Sequence, residues 1–294
     1  LACGGDSAYL VHTAAMVSSI LEHSGGLDVR VHYLHEPALD RREAAKFESF
    51  VEARGGSATL IPVAAERIAG LPAAFNHVTE AMWYRIFLSE LLPDVERVLY
   101  LDADTLAMDD LRPLWETELR GFALAAVTNV WEPWNLGYPA ALGLRRPYFN
   151  SGVLLMNLNR MRELDADARV ADYALANRDS LTWPDQDALN VVLGDERVEL
   201  YPRWNCMNSV LLFESANEVF GEEAVAEARA RPGIRHFEGP AINKPWHLLG
   251  QSRDAGEYFR HRRQTPWPHV RRAGVTPRNL LLRAARALGR SPRR

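Results

Sequence analysis

Two acidic residues, Asp102 and Asp104, follow the apolar segment Val98 to Leu101. Such a segment is typical of a buried strand, and ligands of open α/β sheets bind at the carboxyl ends of their strands. Residues i and i+2 of an extended chain face the same way, so both carboxylates can approach one divalent cation, which can bridge a diphosphate. The pattern D-x-D is short, and a solvated loop with a helix-capping aspartate is the alternative.

A second group of polar residues lies in segment 236–246, which reads HFEGPAINKPW. The imidazole of His236 suits manganese and similar ions, and the ammonium of Lys244 is a compact charge for a phosphate. Gly239 and Pro240 allow the backbone to turn close to a ligand. A half-buried structural histidine is the alternative. The ligand site is favoured because Lys244 is one of only two lysines in the chain.

Two further segments carry amide, hydroxyl and carboxylate groups suited to a sugar. One is 185–190, DQDALN, which follows Trp183 and Pro184, and the other is 148–157, YFNSGVLLMN. A helix cap would account for one carboxylate of the first segment. The second also fits a buried strand in which Gly152 permits close backbone approach. On these residues alone both alternatives stay open.

The composition is that of an ordinary globular protein: 294 residues, 47% hydrophobic, 9% aromatic and 24% charged. No apolar run approaches the roughly 18 residues that a membrane-spanning helix needs. Cys3 and Cys206 lack the spacing of a zinc site, and two cysteines are too few for a disulfide framework, which favours a cytoplasmic setting. The chain starts at Leu1 within a strand-like segment, so preceding residues or a cleaved signal stay open.

Short β-branched and aliphatic segments alternate with segments of helical periodicity. The predicted strands are 29–34, 58–62, 97–101, 122–127 and 151–157, after a first strand at the start of the chain, and the predicted helices are 9–23, 40–54, 80–91 and 185–193. This alternation predicts an α/β fold with a mostly parallel central sheet covered by helices on both faces. We expect a single catalytic domain over residues 1–262 and a C-terminal extension over 263–294.

The extension is basic: residues 271–294 contain eight arginines and no acidic residue. A short helix predicted from Arg278 to Leu288 has its leucines clustered on one side with arginines around them. This pattern suits peripheral attachment to an anionic lipid surface at the inner face of the cell membrane. A solvated tail is the alternative. We expect no nucleic-acid partner because the rest of the chain is acidic.

Taken in order, four segments resemble the family-8 retaining glycosyltransferases, which include lipooligosaccharide galactosyltransferases and, more distantly, glycogenin. The segments are RVLYLDADTLAMDDLRPLW, YFNSGVLLMNL, DQDALN and HFEGPAINKPWH, and the resemblance spans about residues 1–250. It implies a glycosyltransferase A-type fold, a UDP-sugar donor and Mn²⁺ held by Asp102, Asp104 and His236.

The resemblance also implies roles for other residues. Lys244 would contact the donor diphosphate near Gly239, and the backbone of Ala103 would lie against the ribose. Ala2 and Asp6 belong to the first nucleotide-binding segment. The donor sugar would be held by Arg85, Asn150, Ser151, Asp185 and Gln186. In that first segment Gly4 stands where the family usually has Asp, and Ser7 where it usually has Tyr, which leaves the donor base open.

The implied activity is transfer of a hexose, galactose or glucose, from a UDP-sugar to a hydroxyl of a glycan or glycolipid acceptor, with retention of anomeric configuration. Retention would arise either from double displacement, with Asp185 or Gln186 as the nucleophile, or from front-face attack. We favour front-face attack because the neutral amide of Gln186 is a poor nucleophile. The candidate catalytic residues are Asp185, Gln186 and Arg85. A catalytically silent nucleotide-sugar-binding protein is the alternative. A metal-dependent nucleotidyltransferase is disfavoured, because the chain lacks the Gly-rich basic loop near the N-terminus that such an enzyme would need. Trp131, Trp134 and Tyr138 either stack on the acceptor or pack internally.

Overall fold

The structure is a computed structural model that describes residues 1–72, 79–131, 137–269 and 272–287. The strands within these residues are β1 Ala2–Gly5, β2 Arg30–His35, β3 Ser57–Pro62, β4 Arg97–Leu101, β5 Thr105–Ala107, β6 Leu124–Thr128, β7 Phe149–Asn157, β8 Arg197–Glu199 and β9 Ile234–His236. The α-helices are α1 Leu10–Glu22, α2 Arg41–Glu52, α3 Ala65–Ile68, α4 Leu88–Leu91, α5 Arg112–Trp115, α6 Tyr138–Ala141, α7 Leu158–Glu163, α8 Ala166–Ala176, α9 Pro184–Leu193, α10 Asn208–Leu212, α11 Ser215–Phe220, α12 Glu222–Ala230, α13 Ala255–Arg263 and α14 Pro277–Ala287. Segments of 3₁₀-helix lie at Glu80–Phe87, Gly194–Glu196, Pro202–Asn205 and Ala241–Asn243.

The main sheet has the strand order β3-β2-β1-β4-β7-β6-β8. Strand β7 is antiparallel to both of its neighbours, β4 and β6, and the other pairs are parallel. The prediction of a mostly parallel sheet is therefore confirmed. The sequence did not indicate that β7 runs antiparallel to its two neighbours. This reversal brings the start of β7 to the same edge of the sheet as the end of β4.

Helices cover the sheet on both faces, as predicted. Alternate residues of β4 face opposite cores because successive side chains of a strand point to opposite faces. Leu99 and Leu101 pack in the core that contains α1 and α2. Val98 and Tyr100 pack in the core that contains α8 and α9. Burial on both faces explains why β4 consists of apolar side chains until the chain leaves the sheet at Asp102.

A small second sheet pairs β5 with β9 in antiparallel register, with Thr105 opposite His236. The pairing continues past the strands, since the backbone amide of Phe237 donates to the carbonyl of Asp104 at 2.9 Å. These backbone contacts carry His236 to the segment that holds the two aspartates.

Most predicted elements differ from the observed ones by one or two residues at their ends. The predicted helix 80–91 differs in type: Glu80–Phe87 forms 3₁₀-helix and only Leu88–Leu91 is α-helical. The apolar periodicity predicted a helix but could not separate the two forms. Residues 81–87 are all buried, between β1 and helices α8 and α9, where the narrower 3₁₀ form is accommodated.

The C-terminal helices α13 and α14 follow the family-like segment. Helix α13 packs against α1, and packing continues to Trp267, whose indole Nε1 donates to Glu43 of α2 at 2.5 Å. The predicted tail helix is observed as α14. No helix within the described residues has the length and apolar character needed to cross a membrane.

Candidate active site

A cavity of about 530 Å³ opens at the edge of the main sheet where β1 and β4 end and β7 begins. Most of the site residues proposed from the sequence line it, namely Arg85, Asp102, Ala103, Asp104, Asn150, Ser151, Asp185, Gln186, His236, Gly239 and Lys244. The structure therefore brings together all four segments that the sequence predicted to act on one ligand.

The two aspartates and His236 form a compact set of oxygen and nitrogen donors. One ligand atom from each of Asp102, Asp104 and His236 lies within 4.8 Å of the others. The Nδ1 atom of His236 lies 2.9 Å from the amide oxygen of Asn205 and donates to it, so Nε2 is the ring atom that faces the carboxylates. This donor set suits a borderline divalent cation such as Mn²⁺.

Gly152 of β7 packs directly against this donor set. A Cβ atom at Gly152 would lie 2.4 Å from Cε1 of His236 and 2.8 Å from Oδ2 of Asp102. The absence of a side chain at position 152 is therefore a steric requirement of the site.

Asp104 carries two positively charged or polarised neighbours. Its Oδ1 lies 3.3 Å from Nε2 of His236, and its Oδ2 accepts from the ammonium of Lys244. Burial alone would raise the pKa of Asp104, but Lys244 and His236 outweigh burial and hold the pKa below its ordinary value. The Asp104 carboxylate is thus ionised, as a metal ligand must be.

Arg85 connects three parts of the site from its place in the 3₁₀ segment. Its guanidinium lies 2.9 Å from Oδ1 of Asp102 and 3.2 Å from Oδ2 of Asp185, and it donates to the carbonyl of Ser151 at 2.7 Å. Burial opposes the charge on Arg85, but the neighbouring carboxylates raise its pKa and keep it cationic. Arg85 thereby compensates a buried acid, Asp185, and a half-buried one, Asp102.

Helix α9 presents Asp185 at its first turn. The amide of Asn190 fixes this helix to β7, since its Oδ1 accepts from the backbone amide of Phe149 at 2.7 Å and its Nδ2 donates to the carbonyl of Phe149 at 2.9 Å. Burial raises the pKa of Asp185 to about 6, against the opposing effect of Arg85. Asp185 is therefore a carboxyl group whose charge depends on what the cavity holds.

Gln186 is held on both ends of its amide. Its Oε1 accepts from the backbone amide of Ser151 at 2.8 Å and lies 3.2 Å from the Ser151 hydroxyl. Its Nε2 donates to the phenolic oxygen of Tyr148 at 3.1 Å. Asn150 is fixed similarly, because its Oδ1 accepts from Gly152 and from the amide of Asn205.

Two residues assigned from the family resemblance are not among those that line the cavity. Ala2 is fully buried in β1, where it pairs with β2 and β4, so Ala2 contributes to the core and its side chain does not reach the cavity. Asp6 accepts from the backbone amide of Tyr9 at 3.0 Å and stabilises the turn into α1. The neighbouring glycines Gly4 and Gly5 line the cavity in their place.

The altered first segment has a local explanation. A Cβ atom at Gly4 would lie 3.3 Å from Cδ2 of Tyr84, so the Asp that the family usually has there would require Tyr84 to move. The Ser7 hydroxyl donates to Glu36 at 2.5 Å. Tyr9 lines the cavity instead, two positions after the expected tyrosine, and sequence reasoning missed it.

An aromatic group borders the cavity next to α9. Trp131 and Trp183 line the cavity, with ring centroids 5.2 Å apart. Tyr138 packs edge-on against Trp183 at 4.9 Å and is not among the lining residues. Trp134, which the sequence also suggested, lies outside the described residues. Trp183 was missed as a wall residue because its segment was interpreted through its carboxylates.

A second group of potential metal ligands, Glu22, His23 and His261, lies between α1 and α13. Arg260 holds two of its members, with its guanidinium 2.8 Å from Glu22 Oε2 and 2.8 Å from His261 Nε2. This group is explained as an ion-pair network that attaches α13 to α1.

The protein has an α/β fold with a cavity at the edge of its main sheet. The residues that line this cavity include possible ligands for a metal ion, a lysine suited to a phosphate and polar groups suited to a sugar. The chain matches the family described as Glycosyl transferase family 8 over residues 1–250. It belongs to that family and is a glycosyltransferase.

Similar proteins support this assignment. General stress protein A of Bacillus subtilis is 30% identical over 197 residues, which cover 65% of this chain and 68% of that protein. The lipopolysaccharide 1,2-glucosyltransferase of Escherichia coli is 27% identical over 84% of this chain and 72% of its own length. The crystal structure of the galactosyltransferase LgtC with donor and acceptor sugar analogues superposes with a TM-score of 0.81, at 26% identity, over 90% of this chain and 95% of that one. The glycosyltransferase A-type fold is thereby confirmed.

Proposed function

We propose that the protein transfers a hexose from a UDP-sugar to a hydroxyl group of a glycan or glycolipid acceptor, with Mn²⁺ bound and with retention at the anomeric carbon. One observation carries the proposal: Asp102, Asp104 and His236 line the same cavity as Lys244 and Gln186. Sugar-transferring relatives agree with it, since one is a glucosyltransferase and one a galactosyltransferase.

The residues fit a divalent cation, because two carboxylates and the Nε2 atom of an imidazole converge beside a glycine that leaves room for them. Asp102, Asp104 and His236 would hold Mn²⁺, which when bound supplies positive charge to the donor diphosphate. Lys244 lines the same cavity and can add its own positive charge at the leaving group. Ala103, Gly239, Gly4 and Gly5 line the cavity, where their backbone can contact the nucleotide.

Arg85, Asp185, Asn150 and Ser151 form the polar wall for the donor sugar. The lone pairs of Gln186 Oε1 accept hydrogen bonds from the amide and hydroxyl of Ser151. Gln186 Oε1 is therefore poorly placed to attack the anomeric carbon as a nucleophile. We therefore retain front-face attack, in which the acceptor hydroxyl gives its proton to the departing diphosphate. Asp185, which could attack only as the carboxylate and whose pKa is raised to about 6, is the remaining candidate for a covalent intermediate.

A donor panel tests this function. Purified protein is incubated with UDP-glucose, UDP-galactose and other nucleotide-sugars in the presence of Mn²⁺, and UDP release and the product's anomeric configuration are measured. We expect release from one UDP-hexose and a product of retained configuration by NMR. Turnover confined to a donor with another base, or an inverted product, would contradict the proposal.

The C-terminal helix supports a second proposal, peripheral attachment to an anionic lipid surface that carries the acceptor. Leu280 and Leu281 of α14 are 49% and 72% exposed, which is unusual for leucine. Arg278 and Arg283 are exposed on the same short helix. Each such arginine contributes about 1 kcal/mol near an anionic surface, so apolar insertion and charge would act together.

A further inference from the structure

A buried carboxylate beside the site, Asp187, accepts an unusual number of hydrogen bonds. Asp187 is fully buried. Its Oδ2 accepts from the backbone amides of Thr182 and Trp183, both at 2.9 Å, and from the hydroxyl of Tyr138 at 2.7 Å. Its Oδ1 accepts from the hydroxyl of Tyr148 at 2.6 Å.

The donors around Asp187 determine the direction of the next hydrogen bond. Burial raises the pKa of Tyr148 well above its ordinary value, so this phenol stays protonated and its O–H donates a hydrogen bond to Oδ1 of Asp187. The phenolic oxygen can then only accept from Gln186, which lies 3.1 Å away. At the other end of the amide, the backbone N–H of Ser151 can only donate, so it must face Oε1 of Gln186.

Both ends of the Gln186 amide are therefore assigned by chemistry rather than by the similar shapes of oxygen and nitrogen. One Nε2 hydrogen binds Tyr148, and the other has no partner among the residues that the structure describes, while Gln186 lines the cavity. What Gln186 offers a bound ligand is an N–H donor.

We propose that Asp187 and Tyr148 are positioning residues that hold Gln186 as a hydrogen-bond donor toward an oxygen atom of the donor sugar. Neither side chain lines the cavity, and both act through the amide of Gln186. The inference rests on the proposed function, because it assigns the sugar as the group that Gln186 meets.

The chain provides a matched control. Tyr138 and Tyr148 both donate a phenolic hydrogen to Asp187, but only Tyr148 contacts Gln186. Tyr148→Phe and Tyr138→Phe therefore each remove one hydrogen bond from the same carboxylate. Tyr138→Phe also removes an acceptor of the Thr182 amide, which keeps its bond to Asp187, and only Tyr148→Phe releases the Gln186 amide. We expect Tyr148→Phe to lower kcat about 10- to 100-fold, as misorientation of a contacting group does, and Tyr138→Phe to lower it less than about threefold.

A double-mutant cycle with Gln186→Ala separates positioning from general stability. If Tyr148 acts through Gln186, Tyr148→Phe has no further effect on kcat in the Gln186→Ala background. Additive losses of kcat, or equal losses in Tyr148→Phe and Tyr138→Phe, would overturn the inference.

A second readout does not depend on turnover. The chain has only three glutamines, at positions 186, 251 and 264, so ¹⁵N-glutamine labelling gives three side-chain amide pairs in an NMR spectrum, and Gln186→Ala assigns one of them. We expect this pair to shift in Tyr148→Phe and to stay in place in Tyr138→Phe. An unmoved pair in Tyr148→Phe would refute the positioning, whereas absence of turnover with every UDP-sugar would refute the proposed function alone.

Discussion

The ammonium of Lys244 donates to Oδ2 of Asp104, one of the three groups suited to hold the cation. It also donates to the carbonyl of Phe237 at 2.8 Å. Lys244 thus neutralises the charge of Asp104, and a metal ion bound to Asp104 would compete with Lys244 for the same carboxylate. In the proposed function the same ammonium also serves the donor diphosphate, so Lys244 must exchange one anionic partner for another.

This relationship predicts opposite effects of one substitution on two ligands. Lys244→Met removes a competing charge from Asp104 and should tighten Mn²⁺ binding without nucleotide by roughly 3- to 30-fold, while weakening UDP binding by about tenfold or more. Isothermal titration of each ligand measures both. Lys46→Met is the matched control, because Lys46 lies on α2 near Trp267. Weaker Mn²⁺ binding in Lys244→Met would show that Lys244 supports the cation site.

Gly152→Ala should abolish Mn²⁺ binding. The added Cβ would overlap His236 and Asp102, and at least one ligand must move. The measurement is Mn²⁺ titration with thermal unfolding of the same sample. Gly194→Ala is the control, since Gly194 has an ordinary helical φ of −57° and nothing within 4 Å of its Cβ position. Undiminished Mn²⁺ affinity in Gly152→Ala would remove Asp102 or His236 from the ligand set.

Much of the site could be predicted because its chemistry is concentrated in short segments. Asp102 and Asp104 follow a strand whose burial on both faces makes it easy to recognise, and the rarity of lysine drew attention to Lys244. Sheet pairing between β5 and β9 then brings His236 to them, which the family resemblance implied and local pattern did not.

Other features depend on contacts that no local pattern encodes. The direction of the Gln186 amide on α9 is decided by Ser151 in β7 and by Tyr148, which directly precedes that strand. The Gly4 position depends on the ring of Tyr84. The 3₁₀ form that carries Arg85 depends on its burial between β1 and helices α8 and α9. Each is a tertiary effect, so a departure from the family pattern could be seen in the sequence but not explained there.

Stability should fall as the pH is lowered below about 6.5, because buried histidines must become charged. His12, stacked on Trp246 with centroids 3.7 Å apart, is one of them. Burial and the nearby Arg262 lower the pKa of His12 to about 3. A folded-state pKa below the unfolded value contributes stability that is present above about pH 6.5 and lost as the pH falls toward 3.

The test is the thermal midpoint measured from pH 7.5 to 4.5. His12→Gln should flatten part of its decline, while the exposed His269→Gln should leave the wild-type profile unchanged. The same decline in His12→Gln as in wild type would exclude His12 as a source.

Membrane attachment should depend on the exposed leucines of α14. In flotation with anionic vesicles, the full chain should float and Leu280→Ser/Leu281→Ser should stay with the soluble fraction, since the pair supplies the exposed apolar surface of this helix. Leu212→Ser is a suitable control because Leu212 is 72% exposed on α10. Equal flotation of wild type and the double variant would exclude this helix as the attachment site.

The proposed cation site is tested most directly by UDP release in wild type, Asp104→Asn and Asp94→Asn, measured with Mn²⁺ and with a chelator. Asp94 is an exposed acidic residue outside the cavity. We expect release from a UDP-hexose that needs Mn²⁺, falls by about 100-fold or more in Asp104→Asn and is unchanged in Asp94→Asn. Release that continues in the chelator, or that survives in Asp104→Asn, would contradict the assignment of Asp104 to a catalytic cation site.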